Sequence, residues 1–224
     1  MRLVVQPRHD ARPLFPGMVL VGSVAAGFVA VGLIFAASGV DPFYATWRIL
    51  SGSFGSVFGI KETVAKAIPL VLVGAGLAVA YRMKFWNIGA ESQLLSGAMA
   101  AGWLGLTVGP ALPPALVIPL MFVAGFVGGA LWALPPALLK VRFGVNEVVS
   151  TLMLNYASQE LLRMLIVGPW KGKSQGGFPY SDDLAAAAQI PLVPGTRIHL
   201  ATLVVAVLVA LACWVLVTRT RFGY

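Results

Sequence analysis

Residues 81–97, YRMKFWNIGAESQLLSG, join two apolar runs through a stretch that is first basic, then aromatic, then rich in amides and small residues. Arg82 and Lys84 close the run that ends at Ala80, and Phe85 and Trp86 follow at the depth where aromatic side chains mark a membrane interface. Asn87, Gly89, Glu91, Ser92 and Gln93 then enter the next run. A boundary of this kind between two apolar segments belongs to a chain that crosses a bilayer more than once.

Composition agrees. Hydrophobic residues make up 58% of the 224 and charged residues only 11%, with a mean hydropathy of +0.87, too apolar for a soluble domain of this length. The formal charge of +8 does not point to nucleic acid, because the sixteen Lys and Arg lie mostly between apolar runs, where they act as topology signals. A single cysteine, Cys213, excludes an internal disulfide and a thiolate metal cluster. Arg2, Arg8 and Arg12 precede a first apolar run longer than the roughly 7 to 15 residues of a signal-peptide core, so that run reads as a retained span.

A helix needs about 20 apolar residues to cross a bilayer. Six runs qualify, at about 16–38, 63–80, 87–108, 114–139, 146–167 and 198–217, predicting an all-α, polytopic transmembrane bundle in a single domain. Asp41-Pro42 predicts an N-cap and first helical residue for a short interfacial segment carrying Phe43, Tyr44 and Trp47, and 51–59 reads as a Gly/Ser turn. Gly125, Gly129 and Ala133 form a small-residue ladder for close helix approach. Asn146 and Glu147 suit the start of the fifth span, and 168–196 is a polar external loop. With the N-terminus in the cytoplasm, Arg2, Arg8, Arg12, Arg82, Lys84, Lys140, Arg142, Arg219 and Arg221 all face inward, which the positive-inside rule favours over the reverse.

Charge at membrane depth is costly, so Glu91, Glu147, Glu160 and Arg163 each call for a reason. Glu160 and Arg163, three residues apart, predict an ion pair on one helix surface. Glu147, Ser150, Thr151, Asn155 and Ser158 fall in one arc of the fifth span. That stripe can line a solute pathway, with Asn155, Thr151, Ser158 and Ser150 as contacts, or it can fix packing by interhelical hydrogen bonds. At the 81–97 boundary, Asn87 is expected to cap a helix and Gly89 to allow close backbone approach, with Glu91, Gln93 and Glu147 as gating or packing groups.

Enzyme chemistry lacks material. The histidines are His9, in the N-terminal tail, and His199, at the edge of the last span, so neither a Ser-His pair nor a histidine metal site is available. No GxxxxGK[ST] phosphate loop occurs, so ATP and its Mg belong on a partner subunit.

MKFWNIGAESQLLSGA, together with VRFGVNEVVSTLMLNY, the GPW of 168–170 and the terminal TRTRFGY, resembles the inner-membrane permeases of ABC importers for simple sugars and nucleosides, most closely the nucleoside-type branch. The resemblance implies about ten spans per permease and two permeases around a central pathway in the cytoplasmic membrane. It also implies an extracytoplasmic substrate-binding protein docking outside and a separate ATPase docking inside, with lipid around the bundle and no nucleic acid. Ser92 stands where the family has glycine, and the chain is expected to be a partial permease, ending before the loop that couples to the ATPase. The alternatives are a receptor-independent carrier or channel using Glu91, Glu147 or Glu160, and a membrane scaffold without transport.

Overall fold

A computed structural model describes residues 15–173 and 176–221. Arg2, Arg8, Arg12, His9 and the last three residues of the TRTRFGY stretch lie outside them. Among the described residues there are seven α-helices and no strands, the all-α class expected. The helices are α1 (Phe15–Ala37), α2 (Pro42–Phe54), α3 (Val57–Arg82), α4 (Ala90–Thr107), α5 (Pro114–Phe143), α6 (Glu147–Val167) and α7 (Leu200–Arg219). The chain divides into two compact units, Met1–Thr63 and Val64–Tyr224, and α3 belongs to both.

In the first unit, Asp41 Oδ1 accepts hydrogen bonds from the Phe43 and Tyr44 backbone N–H groups at 2.8 and 3.0 Å, and Pro42 occupies the first helical position of α2. Phe43, Tyr44 and Trp47 stand exposed on α2, as an interfacial helix requires. The Gly/Ser turn expected over 51–59 shrinks to two residues. Helix α2 runs through Phe54 and α3 opens at Val57, because Ser56 Oγ accepts from Gly59 N–H at 3.0 Å and caps the new helix at once.

The second unit is built on α4, α5 and α6, which pack on one another. Small residues set the distance between α4 and α5. A Cβ on Gly97 would lie 2.7 Å from the Gly125 carbonyl oxygen, and one on Gly128 would lie 2.6 Å from Ala100 Cβ. The backbones are therefore closer than any side chain allows. Helix α5 ends at Gly144, whose φ of 66° is left-handed and lets its N–H return to Lys140 O at 3.0 Å. Two residues later Asn146 Oδ1 accepts from Val148 N–H at 2.9 Å and starts α6. Beyond α6 the loop folds back: Ala188, in a 3₁₀ turn at Ala186–Ala188, is buried beside Gly109 and Val117.

Among the described residues, four helices are long and apolar enough to cross a membrane: the Gly17–Ala37 part of α1, α3, α5 and α7. The runs expected at 87–108 and 146–167 form helices too, but α4 carries Glu91, Ser92, Gln93 and Ser96, and α6 carries eight polar or charged side chains from Glu147 to Arg163, which lowers their hydropathy. These two helices pack both on α5 and on each other.

Candidate functional site

The unusual backbone of the molecule is the link from α3 to α4. Helix α3 closes with Lys84 in the left-handed region at φ 54°, and Phe85 N–H reaches back to Ala80 O at 3.0 Å. Residues 85–89 then run without helical hydrogen bonds. Helix α4 starts only at Ala90, so Asn87 lies before the helix and does not cap it. Its Oδ1 instead accepts from Gly89 N–H at 2.9 Å, a local turn, and its Nδ2 donates to Gln93 Oε1 at 3.1 Å.

Non-helical backbone near a bilayer needs partners that water cannot supply there. Helix α6 supplies them from a row spaced by four residues. Glu147 Oε1 accepts from Trp86 N–H at 3.2 Å and Thr151 Oγ1 accepts from Ile88 N–H at 3.2 Å. Asn155 serves two groups: Nδ2 donates to Ile88 O at 3.1 Å, while Oδ1 accepts from Ser92 N–H at 3.0 Å. Gln159 Nε2 reaches Glu91 Oε1 at 3.4 Å. The Thr151 hydroxyl donates its proton to Glu147 O at 2.6 Å, which leaves its lone pairs for Ile88. One helix edge thus follows the backbone of 86–92 step by step.

Packing matches the hydrogen bonds. Ser92 and Thr151 are 1% exposed and Ser158 is fully buried, so these hydroxyls face protein. Ser92 Oγ donates to Gly89 O at 2.6 Å and Ser158 Oγ to Asn155 O at 2.9 Å. Ser150 Oγ reaches only Glu147 O of its own helix, at 3.3 Å. A Cβ on Gly89 would sit 2.8 Å from the Thr151 carbonyl oxygen and 2.9 Å from Thr151 Cβ, so the link can lie on α6 only because residue 89 is glycine.

The basic end is tied by Lys140. Its Nζ lies 2.5 Å from Glu147 Oε1, 2.8 Å from Lys84 O and 5.2 Å from the centre of the Phe85 ring. One carboxylate and one ammonium thereby join the α3–α4 link to the α5–α6 turn. Glu160 and Arg163, by contrast, form an exposed pair at 3.6 Å on the surface of α6. Among the described residues no three His, Cys, Asp or Glu side chains come together as a metal would require.

Lys140 and Gln159 are the partners that sequence reading passed over. Lys140 counted only as a topology signal, and Gln159 falls outside the five-residue arc, although counting in fours from Glu147 reaches it.

The two stretches joined here are the two motif stretches of the sequence, and residues 59–224 match the profile of a family described as the permease component of the branched-chain amino acid transport system. The chain belongs to this permease family. The permease is 36% identical to a glucose ABC transporter permease of Haloferax volcanii over 98% of its own length and 61% of the relative's. It is 30% identical to a guanosine ABC transporter permease of Bacillus subtilis, covering 90% of the chain and 58% of the relative. A nucleoside ABC transporter permease of Lactococcus lactis is 34% identical over 60% of the chain and 36% of that protein. The permease thus spans about three fifths of the length of the first two relatives. No solved structure matches it.

Proposed function

We propose that this permease is the membrane subunit of an ATP-driven importer that moves a nucleoside or related simple sugar across the cytoplasmic membrane by alternating access. The observation that carries the reading is its likeness, across nearly the whole chain, to permeases named for glucose and guanosine transport. The sequence supports the division of labour, since it has no phosphate-binding loop of its own. ATP and Mg are held by a separate ATPase on the inner side. A second permease completes the pathway, an extracytoplasmic binding protein delivers the solute, and the N-terminus lies in the cytoplasm with the basic turns.

Delivery outside and ATP binding inside bias the two access states through their different affinities for them. The clasp of α6 on 86–92 belongs to the inner mouth, where Asn87, Gly89, Glu91, Gln93 and Glu147 shape a gate. Asn155 and Thr151 hold that gate to α6, Ser158 packs behind Asn155 on the same helix, and Ser150 stands beside them toward the pathway. The test is uptake of labelled guanosine, uridine, ribose and glucose in a strain lacking the gene. Uptake of one of them is expected to fall and to return on complementation, and to require the neighbouring ATPase. Unchanged uptake of all four would refute the reading.

A further inference from the structure

Two cavities meet at Gln93. One, of about 700 Å³, lies between α4 and α5 on one side and α3 and α7 on the other; the second, of about 810 Å³, continues along α3 toward Lys140. Both have Leu72, Gln93, Leu94 and Ala133 in their walls. The first is apolar except for Gln93 and Thr202, and its α5 wall carries Phe122 and Phe126. The Thr202 hydroxyl already donates to His199 O at 2.8 Å. The second adds Asn87 and Lys140, and Lys140 is held by Glu147 and Lys84 O.

The orientation of the Gln93 amide is fixed by a relay that begins on the backbone. Gly89 N–H can only donate, so the Asn87 atom facing it is Oδ1, and the opposite end of that carboxamide is the donor Nδ2. Nδ2 donates to Gln93, so the Gln93 atom facing it is Oε1. The Gln93 Nε2 group is left with no hydrogen-bond partner among the described residues. Two cavities thus share one amide donor in mainly apolar walls.

Gln93 is half-buried, so its Nε2, without a protein partner in mainly apolar walls, is an amide donor open to an acceptor that enters the cavities. We propose that Gln93 is a solute-contacting residue, donating from Nε2 to a carbonyl on the base of a nucleoside whose flat faces lie against the apolar walls. The chemistry favours a base over a hexose. A hexose spreads hydroxyl donors round its whole ring into walls that offer them few acceptors, whereas a nucleoside confines its hydroxyls to the ribose end and presents a base edge with acceptors and two apolar faces. The volumes lie within the range of sites that hold small ligands, about 300 to 1,000 Å³. The proposal rests on reading the chain as a solute permease.

The experiment uses the permease with its partner subunits and binding protein in cells lacking the native gene. Initial uptake rates are compared at saturating inosine and at saturating purine riboside, which lacks the base carbonyl. The unsubstituted protein is expected to favour inosine about three- to tenfold, the worth of one neutral hydrogen bond. In Gln93→Leu, and in Gln93→Met, which keeps the length of the side chain, the ratio is expected to fall to about one at unchanged membrane abundance. A ratio near one in the unsubstituted protein, or an unaltered preference in both variants, overturns the role of Gln93. If the unsubstituted protein carries neither nucleoside but carries ribose or glucose, the role of Gln93 falls and the permease reading stands; if it carries none of them, the permease reading itself fails.

Discussion

Asn155 holds two backbone groups of a distant segment with one carboxamide, accepting from Ser92 N–H and donating to Ile88 O. Each group left without a partner costs about 1 to 3 kcal/mol. Asn155→Ala is therefore expected to destabilise the permease by about 2 to 6 kcal/mol, read as a lower denaturant midpoint of the purified protein. The sequence placed Asn155, Thr151 and Ser158 on one arc but left pathway and packing open. The reason is physical: the distant partners of Asn155 and Thr151 are backbone groups more than sixty residues away, and backbone groups have no sequence signature. The displaced start of α4 has a similar cause. Asn87 carries the side chain of a good cap, but the chain at 85–89 stays outside the helix, and the same carboxamide closes a turn onto Gly89, the residue two positions later from which the helix starts.

At the scale of elements, α4 and α5 are held by backbone approach. Gly97→Ala would force a Cβ to within 2.7 Å of Gly125 O, whereas a Cβ on Gly102 of the same helix meets nothing within 4 Å. Gly97→Ala is expected to cost about 1 to 3 kcal/mol, while Gly102→Ala should be neutral or gain up to about 1 kcal/mol from helix propensity. Thermal unfolding of the two variants in one detergent checks the contrast. The ladder of Gly125 and Gly129 was legible because small residues at every fourth position have few other uses in an apolar helix. Gly128, one residue off that register, makes the closest approach, to Ala100, and it was not legible because its role depends on the crossing point of the two helices. The region 51–59 misled in the opposite sense. Glycine and serine are compatible with both a turn and helix ends, and the single Ser56 cap decides between them.

Across the whole molecule the positions of the helices could be read from hydropathy, whereas the way α4 and α6 are accommodated could not. Their polar side chains weaken the spanning signal, and the same side chains find partners in each other's neighbourhood. Orientation rests on the basic turns at one face. In a Cys213→Ser background, an impermeant maleimide is expected to label Tyr180→Cys in intact cells and Arg142→Cys only after permeabilisation. Both native side chains stand exposed, so access in the folded protein does not confuse the result. Labelling in the reverse order would invert the topology.

The clasp between 86–92 and α6 also bears on how the chain is made. Ser92 N–H waits for Asn155, sixty-three residues later in the chain. At about 5 to 20 residues per second of synthesis, that interval lasts roughly 3 to 13 seconds. During it α4 has no native partners for these amides, so the nascent α3–α4 hairpin must remain beside the insertion machinery or in water at the interface. Entry of α6 is the event that lets the earlier hairpin settle, so the two segments gain these contacts together although one is made well before the other.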